Sequence, residues 1–161
     1  MAVNTGRFLR VNLSTGKTTT DSVPEQVARD FVGGRGYGIK YLYDELAPGI
    51  DPLSSRNKLI LLNGPLAGAG ALASSRWMAV TKSPLTGAYA RSVGGADFGA
   101  WLKFAGYDFM IVEGKAKKPV YLHLTREECT IEDAAEIWGK DTKVTQEWLD
   151  KKYGRNNRNV C

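Results

Sequence analysis

The sequence predicts an α+β fold. Three observations carry that prediction. Short runs that alternate in polarity or are wholly apolar (RFLRVNL, KLILL, FMIVE, VYLHL) read as strands. Apolar residues spaced three and four apart read as helices lying between and after them. The order strand, turn, strand, helix occurs at residues 7–46 and again at 120–152, an internal pseudo-repeat. A length of 161 residues suits a single domain over 1–161 with its own core.

Arg7 to Leu13 alternates and predicts a strand. Ser14 to Lys17 turns the chain, and Thr18 to Val23 is the return strand. Pro24 suits the first turn of a helix over EQVARDFV, which Gly33 and Gly34 stop. A second helix from Tyr37 to Leu46 places Ile39, Leu42, Tyr43 and Leu46 on one face, and Pro48-Gly49 closes it. Lys58 to Leu62 is apolar enough for a strand buried on both faces, and Trp77 to Thr81 is another strand. After Gly94-Gly95, Phe98, Trp101, Leu102 and Ala105 share a helical face, and Gly106 ends that helix. Phe109 to Glu113 and Val120 to Leu124 are strands joined by GKAKKP. Asp133 is a candidate cap for AAEIWG, and Thr142 for a helix from Lys143 to Lys152 that Gly154 ends. Trp101, Trp138 and Trp148 read as core anchors.

With 43% hydrophobic and 24% charged residues, the composition is that of a globular chain. No apolar run reaches the ~20 residues a membrane helix needs, and the N-terminus lacks a signal-like apolar stretch, so a cytoplasmic protein is expected. A net charge of +5 suits an anionic partner: nucleic acid, a phosphorylated cofactor or an acidic protein. A nucleic-acid role rests on charge alone, since no recognition motif accompanies it. Cys129 and Cys161 are far apart and form no C-x-x-C, so neither a zinc site nor a redox pair is signalled. His123, the sole histidine, sits in VYLHL and reads as an edge or exposed strand residue.

The stretch from Asn63 to Asp108 is glycine-dense yet carries Trp77 and Trp101, which implies backbone packed closely against something bulky. GGRGYG (Gly33 to Gly38) follows a helix rather than a strand, so it reads as a helix–helix elbow and not a dinucleotide fingerprint. Walker-type and G-x-S-x-G motifs are absent. Ser92-Val93-Gly94-Gly95 precedes a helix, where small residues and open N–H groups suit a phosphate; a tight strand-to-helix turn is the other reading. The Arg76 fork suits phosphate or pterin oxygens, and Trp77 and Trp101 could stack on a flat ligand.

Taken together, GRFLRVNLSTG, VGGRGYG, DPLSSRNKLILLNGPLAG, SRWMAVTKSPLTG, SVGGADFGAWLKFAGYD, IVEGKAKKPVYL and IWGKDT resemble the N-terminal domain of the tungsten-containing aldehyde ferredoxin oxidoreductase family. The resemblance implies a platform of two β-sheets, sandwich-like, with flanking helices. It implies oxidation of an aldehyde with water to a carboxylic acid, with electrons passing through a tungsten bis-molybdopterin cofactor and a [4Fe-4S] cluster to ferredoxin. By motif, Arg76, Ser92, Gly94 and Gly95 would contact the cofactor, and the Ser92 main-chain carbonyl would bind magnesium. No residue of this chain is assigned to catalysis or to the cluster. The sequence reaches RNNRNVC a minority of the way through a family protein, so the chain is read as a truncated or separately encoded platform. On that reading the isolated chain is inactive and prone to pair or aggregate, with the remaining domains, an electron carrier and a second copy as its partners, and no nucleic acid or membrane. A non-catalytic scaffold that docks an acidic partner on the same fold is the alternative.

Overall fold

The computed structural model describes residues 4–155. Cys161, named above, lies outside them. A six-stranded sheet is built from β1 (Arg7–Asn12), β2 (Lys17–Ser22), β3 (Lys58–Asn63), β4 (Trp77–Lys82), β5 (Tyr89–Gly94) and β6 (Phe109–Glu113), in the order β2-β1-β6-β3-β4-β5. Only β1 and β6 run parallel, with Phe8 opposite Phe109. A second sheet holds β7 (Val120–Leu124) and β8 (Cys129–Asp133). Helices α1 (Glu25–Phe31), α2 (Arg35–Glu45), α3 (Phe98–Phe104) and α4 (Thr142–Tyr153) flank them. The strand-strand-helix order seen at both ends of the sequence is present, with antiparallel pairs β1–β2 and β7–β8.

Strand alternation divides the large sheet into two apolar faces. Phe8, Ile60, Leu62, Val80, Phe109 and Ile111 meet Tyr37 and Leu42 of α2, and Phe8 stacks on Phe109 with centroids 4.5 Å apart. On the other face Leu9, Val11 and Met110 pack with Leu102 of α3 and with Cys129, Leu122, Leu124 and Ile131 of the small sheet. The two sheets therefore form the sandwich, and burial pushes the Cys129 thiol up to about 11. Beyond the small sheet, α4 covers its outer side: Tyr153 stacks on His123 at 4.1 Å, and Trp148 meets Tyr121 edge-on. His123 thus lies on an edge strand, as expected for a sheet of two strands, but is half-buried beneath a helix rather than exposed.

Several local expectations are corrected. The inward face of α2 is Tyr37, Gly38 and Leu42, whereas Ile39 and Tyr43 face solvent. A Cβ at Gly38 would lie 2.8 Å from Val80, so the helix touches the sheet where the side chain is missing, and apolar periodicity cannot register that position. The GGRGYG elbow has the same basis: α1 ends at Phe31, and a Cβ at Gly36 would lie 2.1 Å from the Phe31 carbonyl. Trp101 is 42% and Trp138 69% exposed, so neither is a core anchor; Leu102 fills the core from the Trp101 helix. Asp133 accepts a hydrogen bond from the Ala135 amide at 2.7 Å but ends β8 and opens a turn rather than a helix. The cap of α4 is Asp141, which accepts from the Val144 amide at 2.8 Å, so Thr142 is already its first helical residue.

Two polar clusters tie distant segments together. Asp108 accepts from the amides of Thr5 (3.0 Å) and Gly6 (2.8 Å) and pairs with Lys103 of α3 at 3.1 Å. At the opposite end of the sheet, Arg10 grips Glu45 through two bonds of 2.9 and 2.8 Å, and Lys58 bridges Glu45 and Glu113. Burial raises both carboxyls, but the hydrogen bonds from Arg10 and Lys58 outweigh it at Glu45, and those from Lys58 and Asn12 do so at Glu113, so both lie below the usual carboxylate range.

Candidate functional site

The β4–β5 hairpin brings the candidate residues together. Its register sets Trp77 opposite Gly94 and Ala79 opposite Ser92. Carried one step further, the same register sets Arg76 opposite Gly95. β5 is the edge strand of the sheet, so this end of the hairpin borders solvent. Arg76, Ser92, Gly95 and Ala96 are all exposed. Sequence separation hides this proximity, because Arg76 and Gly95 are nineteen residues apart and only antiparallel pairing joins them.

The glycines here do different work. The Trp77 ring lies over Gly94, where a Cβ would come within 2.4 Å of Cε2, and the indole N–H donates to the Gly95 carbonyl at 3.1 Å. Gly94 therefore makes room for a tryptophan of its own chain. A Cβ at Gly95 would meet nothing within 4 Å, so that position opens onto free space. Next in the chain, Ala96 takes φ +57°, a left-handed conformation that non-glycine residues rarely hold.

The amides of Gly95 and Ala96 make no hydrogen bond among the described residues, and Arg76 makes neither a hydrogen bond nor an ion pair there. One guanidinium and two open N–H groups beside a residue without a side chain form a set of donors with no acceptor among the described residues. Such a set fits a phosphate oxygen cluster. Ser92, in β5 across from Ala79, adds an exposed hydroxyl and a main-chain carbonyl to the same strand. No three His, Cys, Asp or Glu residues lie together as a metal-binding group among the described residues.

A buried frame supports the hairpin end. Asn63, 2% exposed at the end of β3, donates from Nδ2 to the carbonyls of Gly99 (3.0 Å) and Tyr107 (3.4 Å). Gly99 in turn lets α3 approach until its missing Cβ would sit 3.1 Å from the Ser75 carbonyl and from Trp77 Cβ. Trp77 and Phe98 meet edge-to-face at 5.1 Å. Sequence reasoning singled out Arg76 and the glycine bend but not Asn63, whose role depends on where α3 lands; the run of Asn63 directly after an apolar strand was its only signal.

Neither large cavity contains these residues. A cleft of about 360 Å³ lies beside Lys58, Glu45 and Glu113. A groove of about 790 Å³ runs along β7, between α3 and α4. The donor cluster is instead an open surface. Exposed apolar side chains lie on this chain as well, among them Leu72 at 99% and Leu66 at 53% on the loop that leads to Arg76. Trp101, a candidate stacking residue, lies on α3 against Phe104 at 6.0 Å and borders the groove rather than the bend.

Comparison with known proteins adds the following. The family described as "Aldehyde ferredoxin oxidoreductase, N-terminal domain" matches residues 8–161. A tungsten-containing aldehyde ferredoxin oxidoreductase of Pyrococcus furiosus is 48% identical over 151 residues, covering 94% of this chain and 25% of that protein. Its counterpart in Thermococcus kodakarensis is 43% identical over 158 residues, covering 98% of this chain and 26% of that protein. The chain thus spans about a quarter of the length of these relatives. Among solved structures, the active site complex BamBC of benzoyl coenzyme A reductase, in complex with 1,5-dienoyl-CoA, superposes with a TM-score of 0.91 and 33% identity, over 94% of this chain and 23% of that one.

Proposed function

Because this chain belongs to the aldehyde ferredoxin oxidoreductase family, as its N-terminal domain, we propose that it is the cofactor platform of a longer aldehyde-oxidising enzyme. The observation that carries this reading is the exposed Arg76 guanidinium, without a partner among the described residues, set by the β4–β5 register beside the open amides of Gly95 and Ala96. The group that fits is a phosphorylated pterin. Arg76 would hold its phosphate or ring oxygens through a two-pronged contact, and the bend would receive phosphate oxygen on backbone N–H groups. Ser92 lies on the Trp77 side of the hairpin, so Ser92 and Gly94 would contact such a group through their main chain rather than a side chain, and the Ser92 carbonyl would serve as a ligand to magnesium. When bound, the tungsten of such a pterin would supply two-electron oxidation of an aldehyde to a carboxylic acid, with water as the source of the added oxygen, and the two electrons would leave through a [4Fe-4S] cluster to ferredoxin. Both the substrate pocket and the cluster belong to the remainder of a family-length protein in this proposal. The platform's own work is binding and charge neutralisation, not proton transfer.

Two facts support the platform reading over a substrate-specific one. The same fold, at 33% identity, serves a benzoyl coenzyme A reductase complex, so the domain accompanies chemistry other than aldehyde oxidation. The apolar exposure around Leu66, Leu72 and Trp138 suits contact with the remaining domains. No helix among the described residues is long and apolar enough to cross a membrane.

Titration of the chain with inorganic pyrophosphate and magnesium, followed by amide NMR, tests the reading. Saturable shifts are expected at Arg76, Gly95 and Ala96, and R76Q should weaken binding by about tenfold or more, the loss of a charge-assisted contact. Absence of saturable binding at low ionic strength, or equal binding by R76Q, would refute it. The isolated chain should not oxidise crotonaldehyde with viologen as acceptor.

A further inference from the structure

We propose that Trp77 is a positioning residue for the anion site: its indole N–H fixes the Gly95–Ala96 peptide so that the Ala96 amide and the Arg76 guanidinium face the same ligand. The inference rests on the platform reading above and assigns a role to a side chain that touches no ligand itself.

The argument starts from the planar peptide. In a trans peptide unit the carbonyl and the following N–H point in opposite directions. The Gly95 carbonyl is held by Trp77 Nε1 at 3.1 Å. The Ala96 N–H therefore points away from the indole. Alternation along β4 does the same for the guanidinium: carried one residue before Trp77, it sends the Arg76 side chain to the opposite side of the sheet from Trp77. Two donors from two strands are thus turned to one side by a single aromatic residue.

The indole is itself held on three sides. It rests on Gly94, where a Cβ would come within 2.4 Å; its own Cβ would lie 3.1 Å from one built at Gly99; and Phe98 meets its ring at 5.1 Å. The bend it grips would not keep its shape unaided, because Ala96 sits at φ +57°, where a Cβ is disfavoured. A hydrogen bond to the preceding carbonyl opposes relaxation of that torsion. Removing the N–H frees the peptide to rotate, and the Ala96 amide then no longer has a fixed direction.

The test separates the N–H from the ring. Residue 77 is replaced by phenylalanine (W77F) and, by site-specific incorporation, by benzothienylalanine, which keeps the fused ring and exchanges the N–H for sulfur. Each chain is titrated with inorganic pyrophosphate, with backbone amide shifts and thermal unfolding recorded. The proposal expects both variants to bind about two- to tenfold more weakly, the range for one lost neutral hydrogen bond. It also expects the Ala96 amide shift to be lost, while the benzothienyl chain unfolds at the wild-type temperature. Wild-type affinity and a preserved Ala96 shift in the benzothienyl chain would overturn the role of the N–H, leaving the Arg76 site intact if R76Q still weakens binding about tenfold or more. No saturable binding by the wild-type chain would overturn the platform reading and this inference with it.

Discussion

Replacing Asp108 by alanine removes an anion that three segments share. The carboxylate is 2% exposed. It accepts from the Thr5 and Gly6 amides at 3.0 and 2.8 Å and pairs with the Lys103 ammonium at 3.1 Å, itself on a side chain 9% exposed. Breaking a buried pair by deleting one partner costs about 3–5 kcal/mol. Lys103 Nζ also contacts the carbonyls of Gly64 (3.2 Å) and Pro65 (3.3 Å), which compensate its charge in part. The expected loss is therefore near the lower end, about 3 kcal/mol, with the two stranded amides included. Against a total stability of about 5–15 kcal/mol, that is a large share. At about 2–4 °C per kcal/mol for a chain of this size, the unfolding midpoint should fall by about 6–12 °C. Urea unfolding followed by tryptophan fluorescence measures the change, and hydrogen exchange at Thr5 and Gly6 localises it. D108N keeps the volume and one acceptor oxygen, so it should fall between wild type and D108A. A D108A chain within about 1 kcal/mol of wild type, with Thr5 and Gly6 still protected, would refute the reasoning.

Two further outcomes follow from the geometry. Glu45 and Glu113 have folded-state pKa values below the ordinary 4.5, so they contribute stability above that pH and lose it as pH falls through their folded values; urea midpoints should drop on acidification below 4.5, and E45Q should flatten that dependence while lowering stability at neutral pH. G38A places a Cβ 2.8 Å from Val80 and 3.2 Å from Leu62, and the overpacking should cost about 1–3 kcal/mol by calorimetry, although alanine has the higher helix propensity; a stabilised G38A would contradict the close approach of α2.

Most strands were legible because their pattern reports burial directly. KLILL is apolar after Lys58, and β3 lies between β6 and β4 in the middle of the sheet with Ile60 and Leu62 buried, although Leu59 on its other face is 42% exposed, so the strand is not buried on both faces as expected. β5 was not, because YARSVG lacks apolar alternation; as an edge strand it exposes most of its side chains. β8 was implied only by the repeated strand-turn-strand-helix order and was given no bounds, because only Cys129 and Ile131 mark its inward face. Trp101 shows the limit of periodicity in the other direction. It lies on the apolar stripe of α3, yet that helix sits at the border of the groove and leaves it half open.

By itself the sequence determined the α+β class, the order of most elements, the glycine elbow and the family, since each depends on local spacing or on long ordered motifs. It also singled out Arg76 and the Ser92–Gly95 bend. Tertiary structure alone decided that these two meet, that Gly94 serves the Trp77 ring while Gly95 stays open, and that α2 faces the sheet through Gly38. Each of those outcomes is a contact between residues far apart in the chain, set by strand register and helix approach, and a one-residue change in the β4–β5 pairing would have moved Arg76 away from Gly95 without altering any local pattern.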